Sequence, residues 1–284
     1  MKLPVDPTTL ESAIAIIRKG SGVDLSSYER SFFAKSLEKR RQATSAETPS
    51  AYLKLLSEEC VEAEVLIRSL HVTYSEFFRN PLSFALLKEL VLPSLAEKRV
   101  LDNLNEIRVW SSGCATGQEA WSVAILLDEM RASQEFPIPF RIFATDVSET
   151  NLAVAQAGVY SSEAMGNVSW RHLRKYFSAQ GDSFRVVPAI RDRVDFSIYD
   201  LLDQETICPS ASIYGHFDLV LCCNVLLYYN SESKRFILDK LRRCLVSGGY
   251  LIIGSTERQC VESVTGFRAV APPAALFQKI GKIE

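Results

Sequence analysis

The stretch WSSGCATGQEAWS, Trp110 to Ser122, joins a short apolar run to an amphipathic one through two glycines, and its reading decides the fold. A glycine-bearing turn between a buried strand and a helix is how a doubly wound α/β sheet begins. A dinucleotide fold would show Gly-x-Gly-x-x-Gly, and a P-loop would end in Gly-Lys-Ser/Thr. Both must set several backbone amides against a pyrophosphate. Gly113 and Gly117, with Cys114, Ala115 and Thr116 between them, supply neither pattern. They offer two positions without a Cβ, where backbone can approach a flat or uncharged group, followed by Gln118 and Glu119 at the helix start. That favours a nucleoside-type ligand without phosphates.

Outward from this turn, short apolar runs alternate with amphipathic segments, the pattern of a parallel sheet with covering helices. Strands are expected at IRVWSS, RIFATD, RVDFSIYD, FDLVLCCNV and YLIIGS. Helices are expected at QEAWSVAILLDEMRA, SETNLAVAQAG and SESKRFILDKLRRCLV, the last stopped by SGG. The second strand ends in Asp146, 33 residues after Gly113, where a carboxylate can accept hydrogen bonds from two ribose hydroxyls. A glycine turn after the first strand and an acid after the second is a common way of holding S-adenosylmethionine. Each element alone is weak, since a Gly-bearing turn is often only a connection and an Asp at a strand end often only a helix cap.

From Thr8 to about Leu95 the apolar residues recur three and four apart, so this portion should be helical. Gly20 and Gly22 suit a helix end, and Thr48 or Ser50 suits the cap of a later helix. The domains are therefore drawn at residues 1–95, a helical domain plus linker, and 96–284, an α/β domain. Within the latter, residues 168–193 fit no sheet-and-helix alternation and should form a small hairpin insertion around AQGDS.

The 284 residues carry a net charge of -2 and 47% hydrophobic residues, so no global bias toward nucleic acid or membrane exists. No apolar run approaches a membrane span, and the N-terminal segment lacks the apolar core of a signal peptide, so a cytoplasmic chain is expected. The seven cysteines are scattered without Cys-x-x-Cys spacing, and the three histidines lie far apart. Neither a disulfide framework nor a metal site is expected.

With these residues placed, the chain resembles the CheR-type chemotaxis receptor methyltransferases. The likeness runs through SGVDLSSYERSFFAKSLEKR, SLHVTYSEFFRNP, VWSSGCATGQEAWSVA, FATDVSETNLAVAQAGVY, FDLVLCCNVLLYYN and LVSGGYLIIGSTE, nearly the whole chain. It implies a Rossmann-like S-adenosylmethionine methyltransferase sheet, a small N-terminal all-helical domain and an inserted antiparallel β-subdomain. It also implies an activity: methylation of glutamate side chains on the cytoplasmic helices of chemoreceptors, with S-adenosylmethionine as cofactor and S-adenosylhomocysteine as product. No metal, nucleic acid or membrane insertion is implied, and a monomer is expected.

By the same resemblance, Thr73, Ser75 and Arg79 belong to the lid of the cofactor pocket. Glu119 and Asp146 are acidic cofactor contacts, beside Gly113. Asp200, Leu201, Cys222, Cys223 and Asn224 are adenine-side and strand-end positions, and Tyr228 sits beside the transferred methyl, with Arg79 and Tyr228 the catalytic pair. The sequence departs from the family's usual residues at Asp200, Cys223 and Thr256. Between Tyr28 and Arg41, Arg30, Lys35, Lys39, Arg40 and Arg41 outnumber Glu29 and Glu38. Such a run is ordinarily a solvated helix face; the resemblance implies a docking surface for acidic receptor helices. The loop FSAQGDSFRVV is short, so no dependence on a receptor's C-terminal pentapeptide is expected. A methyltransferase for small molecules or another substrate, or a catalytically weakened cofactor-binding scaffold, remains open from the residues alone.

Overall fold

The computed structural model describes residues 5–101, 106–133 and 137–281. Residues 1–4, part of the N-terminal segment weighed against a signal peptide, lie outside the described residues. The described chain forms two compact units, residues 5–72 with 226–235, and residues 73–225 with 236–281.

The first unit holds α1 (Pro7–Ser21), α2 (Arg30–Ala43), α3 (Pro49–Glu58) and α4 (Cys60–Ser69). Local chemistry sets their ends. Asp6 accepts the Thr9 N–H at 3.0 Å ahead of Pro7, and Gly22, at φ +75°, ends α1 in the left-handed region that disfavours a side chain. Thr48, one of the two expected caps, accepts the Ala51 N–H at 3.1 Å. Leu10, Ala13 and Ile17 of α1 meet Phe33 and Leu37 of α2, Tyr52 and Leu56 of α3 and Leu66 of α4 in one core. The segment Leu226–Arg235 joins this unit by backbone: Tyr229 bridges Tyr28, the Glu29 N–H donates to the Tyr228 carbonyl at 2.8 Å, and the Asn230 N–H donates to Ser27 at 2.9 Å.

In the second unit, α5 (Pro81–Leu86) runs through a π-helical turn at Leu87–Val91 into α6 (Leu92–Leu101). The chain continues as β1 (Ile107–Ser112), α7 (Gln118–Ala132), β2 (Phe140–Asp146), α8 (Glu149–Ala157), β3 (Val159–Ser161), α9 (Trp170–Tyr176), β4 (Phe177–Gln180) and β5 (Ser183–Val186). Then follow α10 (Pro188–Arg191), β6 (Val194–Ile198), β7 (Phe217–Cys222), α11 (Ser231–Cys244), β8 (Leu245–Ile253), α12 (Arg258–Glu262), β9 (Phe267–Ala269) and β10 (Leu276–Lys279). A seven-stranded sheet runs in the order β6-β2-β1-β7-β8-β10-β9. β6, β2, β1, β7 and β8 are mutually parallel, while β10 is antiparallel to β8 and β9. From β1 the chain steps outward to β2 and β6, then returns to β7 on the other flank. The crevice between β1 and β7 is thus the point where strand order reverses, where doubly wound sheets bind ligands.

The structure revises four sequence expectations. The helical run to residue 95 is not one domain. Leu87, Val91, Leu92, Leu95 and Ala96 pack in the same core as Val109, Ile125 and Leu219, so the unit boundary falls at Val72/Thr73. The insertion starts earlier than 168, because β3 pairs with β5 alongside the expected β4–β5 hairpin, whose turn has Gly181 at φ +58°. SGG does not stop α11: β8 starts at Leu245, and Gly248, at φ +70°, lies inside that strand where its pairing with β7 shifts register. The short β9 and β10 were not anticipated, since three- and four-residue runs carry too little alternation to read. No helix among the described residues is long and apolar enough to cross a membrane.

One buried ion pair fastens α6 to the sheet. The Asp218 carboxylate, 1% exposed, accepts the Arg99 guanidinium and, at 2.8 Å, the Arg108 N–H of β1. Removing one partner strands the other charge in a dry site. Asp218→Ala should therefore lower unfolding stability by about 3–5 kcal/mol, read as a fall in the urea midpoint. A midpoint equal to wild type would contradict this role.

Candidate active site

The turn after β1 is built from strained backbone. Gly113 has φ +72°, Ala115 φ +47° and Gly117 φ +92°. A Cβ on Gly113 would stand 2.5 Å from a Val225 methyl, and one on Gly117 2.8 Å from Ala155 Cβ, so both glycines are required by close approach as well as by φ. Four of the turn's five amides are spent within the protein. The Gly113 and Cys114 N–H groups donate to the Thr145 carbonyl at 2.8 and 2.9 Å, Ala115 N–H donates to Asp146 Oδ2 at 2.9 Å, and Gly117 N–H donates to the Cys114 carbonyl at 2.9 Å. Asp146 Oδ1 also accepts the Ser148 N–H at 2.9 Å and the Asn151 side-chain amide at 3.3 Å.

Beside this turn lies a cavity of about 630 Å³ at the carboxyl ends of β1, β7 and β8. That volume falls within the range of small-molecule sites. Of the residues expected in the site, Ser75, Arg79, Gly113, Glu119, Cys223 and Asn224 line it. Glu119 accepts the Ser111 hydroxyl at 2.7 Å. Burial pushes its carboxyl above the ordinary range, against hydrogen bonds from Cys223 and Ser111, with Glu257 adding to the rise and Arg79 opposing it. Cys223 donates weakly to the Ile252 carbonyl at 3.8 Å, and burial next to Glu119 holds its thiol well above the usual value. Arg79 lies over the Tyr74 ring, 4.8 Å from its centroid.

The sequence reading missed the clamp on the other side of the cavity. Glu257, 2% exposed, accepts the N–H groups of Asn224 and Gly254, each at 2.8 Å. It holds Asn224 at φ +61°, and a Cβ on Gly254 would meet Glu257 at 2.6 Å and the Asn224 amide at 2.9 Å. The signal was present in GSTE: Gly254 followed three residues later by Glu257 at the end of an apolar strand is a capping-box spacing. Ser83, Ser255 and Pro273–Ala275 also line the cavity and carried no recognisable pattern.

The remaining expected residues lie elsewhere. Thr73, Asp146, Asp200, Leu201 and Cys222 do not line this cavity. Asp146 ends β2, and its neighbour β6 leads through Tyr199, whose N–H donates to the Asp146 carbonyl at 3.2 Å, to Asp200. The exposed Asp200 accepts the Leu202 N–H at 2.8 Å; Leu201 and Cys222 are buried. Both acids thus sit at the carboxyl edge of adjacent strands. Tyr228 belongs to the other unit, where its ring packs 4.7 Å from that of Phe32.

The basic run on α2 is not uniformly free. Arg40 forks onto Glu62 through bonds of 3.0 and 2.6 Å, and Glu62 also accepts the Tyr52 hydroxyl at 2.7 Å. Arg41 pairs with Glu38 at 2.7 Å and donates to the Ala46 carbonyl at 2.6 Å. Arg30 pairs with Glu11 at the surface. Lys35 and Lys39, one turn apart, are exposed and without an ion pair among the described residues. Arg40 and Arg41 therefore serve the fold of the helical unit. Charge counting along the sequence could not see Glu62 approach from α4.

Comparison with known proteins agrees with this geometry. The family described as CheR methyltransferase, SAM binding domain, matches residues 73–272, and the CheR methyltransferase all-alpha domain matches residues 8–70. The chain is 36% identical over 198 residues to chemotaxis protein methyltransferase 1 of Pseudomonas aeruginosa, covering 68% of this chain and 69% of that protein. It is 26% identical over 260 residues to a chemotaxis protein methyltransferase of Borreliella burgdorferi, covering 90% of each. A 29% identical match to an uncharacterised 104.1 kDa protein of Rhodobacter capsulatus covers 86% of this chain but 25% of that one.

Arg40 and Lys39 should separate on substitution. Arg40→Glu is expected to cost about 3 kcal/mol by stranding Glu62, whereas Lys39→Glu should stay within roughly 0.5 kcal/mol of wild type. Thermal unfolding of the two variants checks this, and equal melting temperatures would show that the Arg40–Glu62 pair does not stabilise the unit.

Proposed function

The chain belongs to the CheR methyltransferase family, and on that premise we propose that it moves a methyl group from S-adenosylmethionine to glutamate side chains on the cytoplasmic helices of a chemoreceptor, forming glutamyl methyl esters. The observation that carries the cofactor choice is the turn at 113–117. Four of its five amides, those of Gly113, Cys114, Ala115 and Gly117, are bonded to Thr145, Asp146 and Cys114, so it offers no ring of free donors to a pyrophosphate. A phosphate-free nucleoside suits it.

The residues present fit that cofactor. Glu119 faces the cavity as an acceptor for an ammonium group, and Arg79 is suited to a carboxylate. Asp146 Oδ2 has one donor from the described protein, Ala115, which leaves a lone pair for a ribose hydroxyl. Asp200 and Leu201, at the end of the neighbouring strand, would flank the base with Cys222, and Thr73 and Ser75 would close over it. When bound, the cofactor supplies an electrophilic sulfonium methyl. The acceptor needs no general base, because a glutamate of reference pKa near 4.3 is already ionised at neutral pH. What the chain contributes is position and dryness. Apolar groups of Phe84, Leu87 and Ala274 line the cavity beside the polar ones, and close placement of reacting atoms is worth on the order of 7–11 kcal/mol. Excluding water also favours the step, since opposite charges cancel as the bond forms. Tyr228 carries its catalytic part from the sequence match alone.

Lys35 and Lys39, with Arg30, are the cations proposed to meet the acidic receptor helices. A cytoplasmic monomer without nucleic-acid binding, working without a receptor tail tether, completes the reading. The β4–β5 turn that would carry a tether contact is only Gly181 and Asp182 between paired Gln180 and Ser183.

Labelled S-adenosylmethionine and receptor signalling fragments should give a base-labile label, released as methanol, with wild type, roughly a hundredfold less with Arg79→Ala, and a reduced rate with Tyr228→Phe. Absence of base-labile label would end the ester assignment. Glu119 gives a pH test. Its raised carboxyl pKa means that acidification protonates it before an ordinary glutamate, so affinity for S-adenosylhomocysteine should fall as pH is lowered, and at a higher pH than an ordinary carboxylate would give. Glu119→Gln should bind more weakly at pH 8 and show a flat profile. Parallel profiles in calorimetry would remove Glu119 from cofactor binding.

A further inference from the structure

We propose that the Ser83 hydroxyl is a carboxylate-recognising donor of the cavity, serving either the amino-acid carboxylate of the cofactor or the side chain of the acceptor; this rests on the methyltransferase reading above. Ser83 is 5% exposed and lines the cavity, yet its Oγ has no hydrogen-bond partner among the described residues. A buried hydroxyl left unmet is costly, and buried serines normally find a partner.

Helical serines of this chain show the usual refuge. Ser122 Oγ donates to the Gln118 carbonyl at 2.7 Å, four residues back, as Ser12 and Ser21 do to Thr8 and Ile17. Ser83 is the third residue of α5, so the residue four back, Arg79, lies before the helix begins. Its position is fixed instead by backbone: the Ser83 N–H donates to the Asn80 side chain at 3.3 Å, and the buried hydroxyl of this cavity-lining residue is left without a partner among the described residues.

The charges of the lining select the ligand group. Glu76 and Glu119 can only accept when ionised, so an ammonium would go to them. A carboxylate needs donors, and Arg79 is the cationic side chain of the lining. A guanidinium and a hydroxyl four residues apart on one segment together satisfy more of a carboxylate's lone pairs than either alone.

The test compares wild type with Ser83→Ala in three measurements. These are the Kd of S-adenosylhomocysteine by calorimetry, the Kd of its decarboxylated analogue, and the KM for the receptor fragment, with melting temperature as control. A rise of about 10- to 100-fold in the first Kd, with the analogue's Kd unchanged, assigns the hydroxyl to the cofactor's carboxylate. A similar rise in KM with both Kd values unchanged assigns it to the acceptor. Unchanged binding and KM with an unchanged or higher melting temperature would overturn the proposal, showing a hydroxyl that meets no ligand. Equal weakening of both nucleosides with a lower melting temperature would overturn it as well, showing a packing role. Should wild type methylate no receptor glutamate, the reading of function fails, while the two Kd measurements still judge Ser83.

Discussion

The hydrogen bonds from the turn at 113–117 to the last two residues of β2 are what the rest of the site depends on. β1 and β2 pair in register through Ser112 and Thr145, and the Thr145 carbonyl then takes two successive amides of the turn while Asp146 takes a third. That fastening forces left-handed backbone at residues 113, 115 and 117 and sets where α7 begins. Glu119, in the first turn of α7, is thereby delivered to the cavity with Ser111 as its donor. The same bonds bear on the ligand class, because the four amides committed to protein acceptors cannot cradle a phosphate.

A second fastening stands across the cavity. Glu257 draws together the backbone after β7 and after β8 by accepting from Asn224 and Gly254. Each clamp joins the ends of two strands that are already paired, so neither can shift without breaking ladder bonds as well. Sites held in this way on sheet ends need little reorganisation when a ligand arrives. The parts that do vary in conformation type, the short α5 and the π-helical turn after it, lie in the segment that contributes Arg79 and Ser83.

The fold was legible wherever local chemistry and burial spoke together. QEAWSVAILLDEMRA is helical over its whole length, and the five parallel strands fall on the five apolar runs, because a strand buried on both faces is apolar nearly throughout, as residues 217–222 are apart from the ion-paired Asp218. Legibility failed where meaning depended on a distant partner. SGG looks like a helix stop, yet pairing with β7 draws it into a strand. Arg40 looks like a free surface charge, yet Glu62 stands against it. In the site, Gly113 and Glu119 could be found from the turn itself, and Arg79 from the family's EFFR stretch. Glu257 left a spacing that went unread. Ser83 left none, because its hydroxyl stands out only by lacking a partner among the described residues, which only three dimensions can show.

The cavity's charge pattern also bears on how an anionic acceptor could be accommodated. Glu76 and Glu119 line it, Glu257 lies close enough to push the Glu119 carboxyl further up, and Arg79 is the cation among the lining residues. A carboxylate entering such a space alone would meet a field of its own sign at low dielectric, where like charges a few ångströms apart cost several kcal/mol. On the proposed reading, Glu119 would hold the cofactor's ammonium and so lose its repulsive effect, and the bound cofactor would supply a positive sulfonium. The acidic lining therefore works against the acceptor in an empty cavity and ceases to do so in a loaded one. After transfer the acceptor is a neutral ester and the sulfur carries no charge, so the attraction that brought the two together is gone. On that reading, elementary electrostatics would favour cofactor before acceptor on entry and leave no charge pair between sulfur and ester on exit.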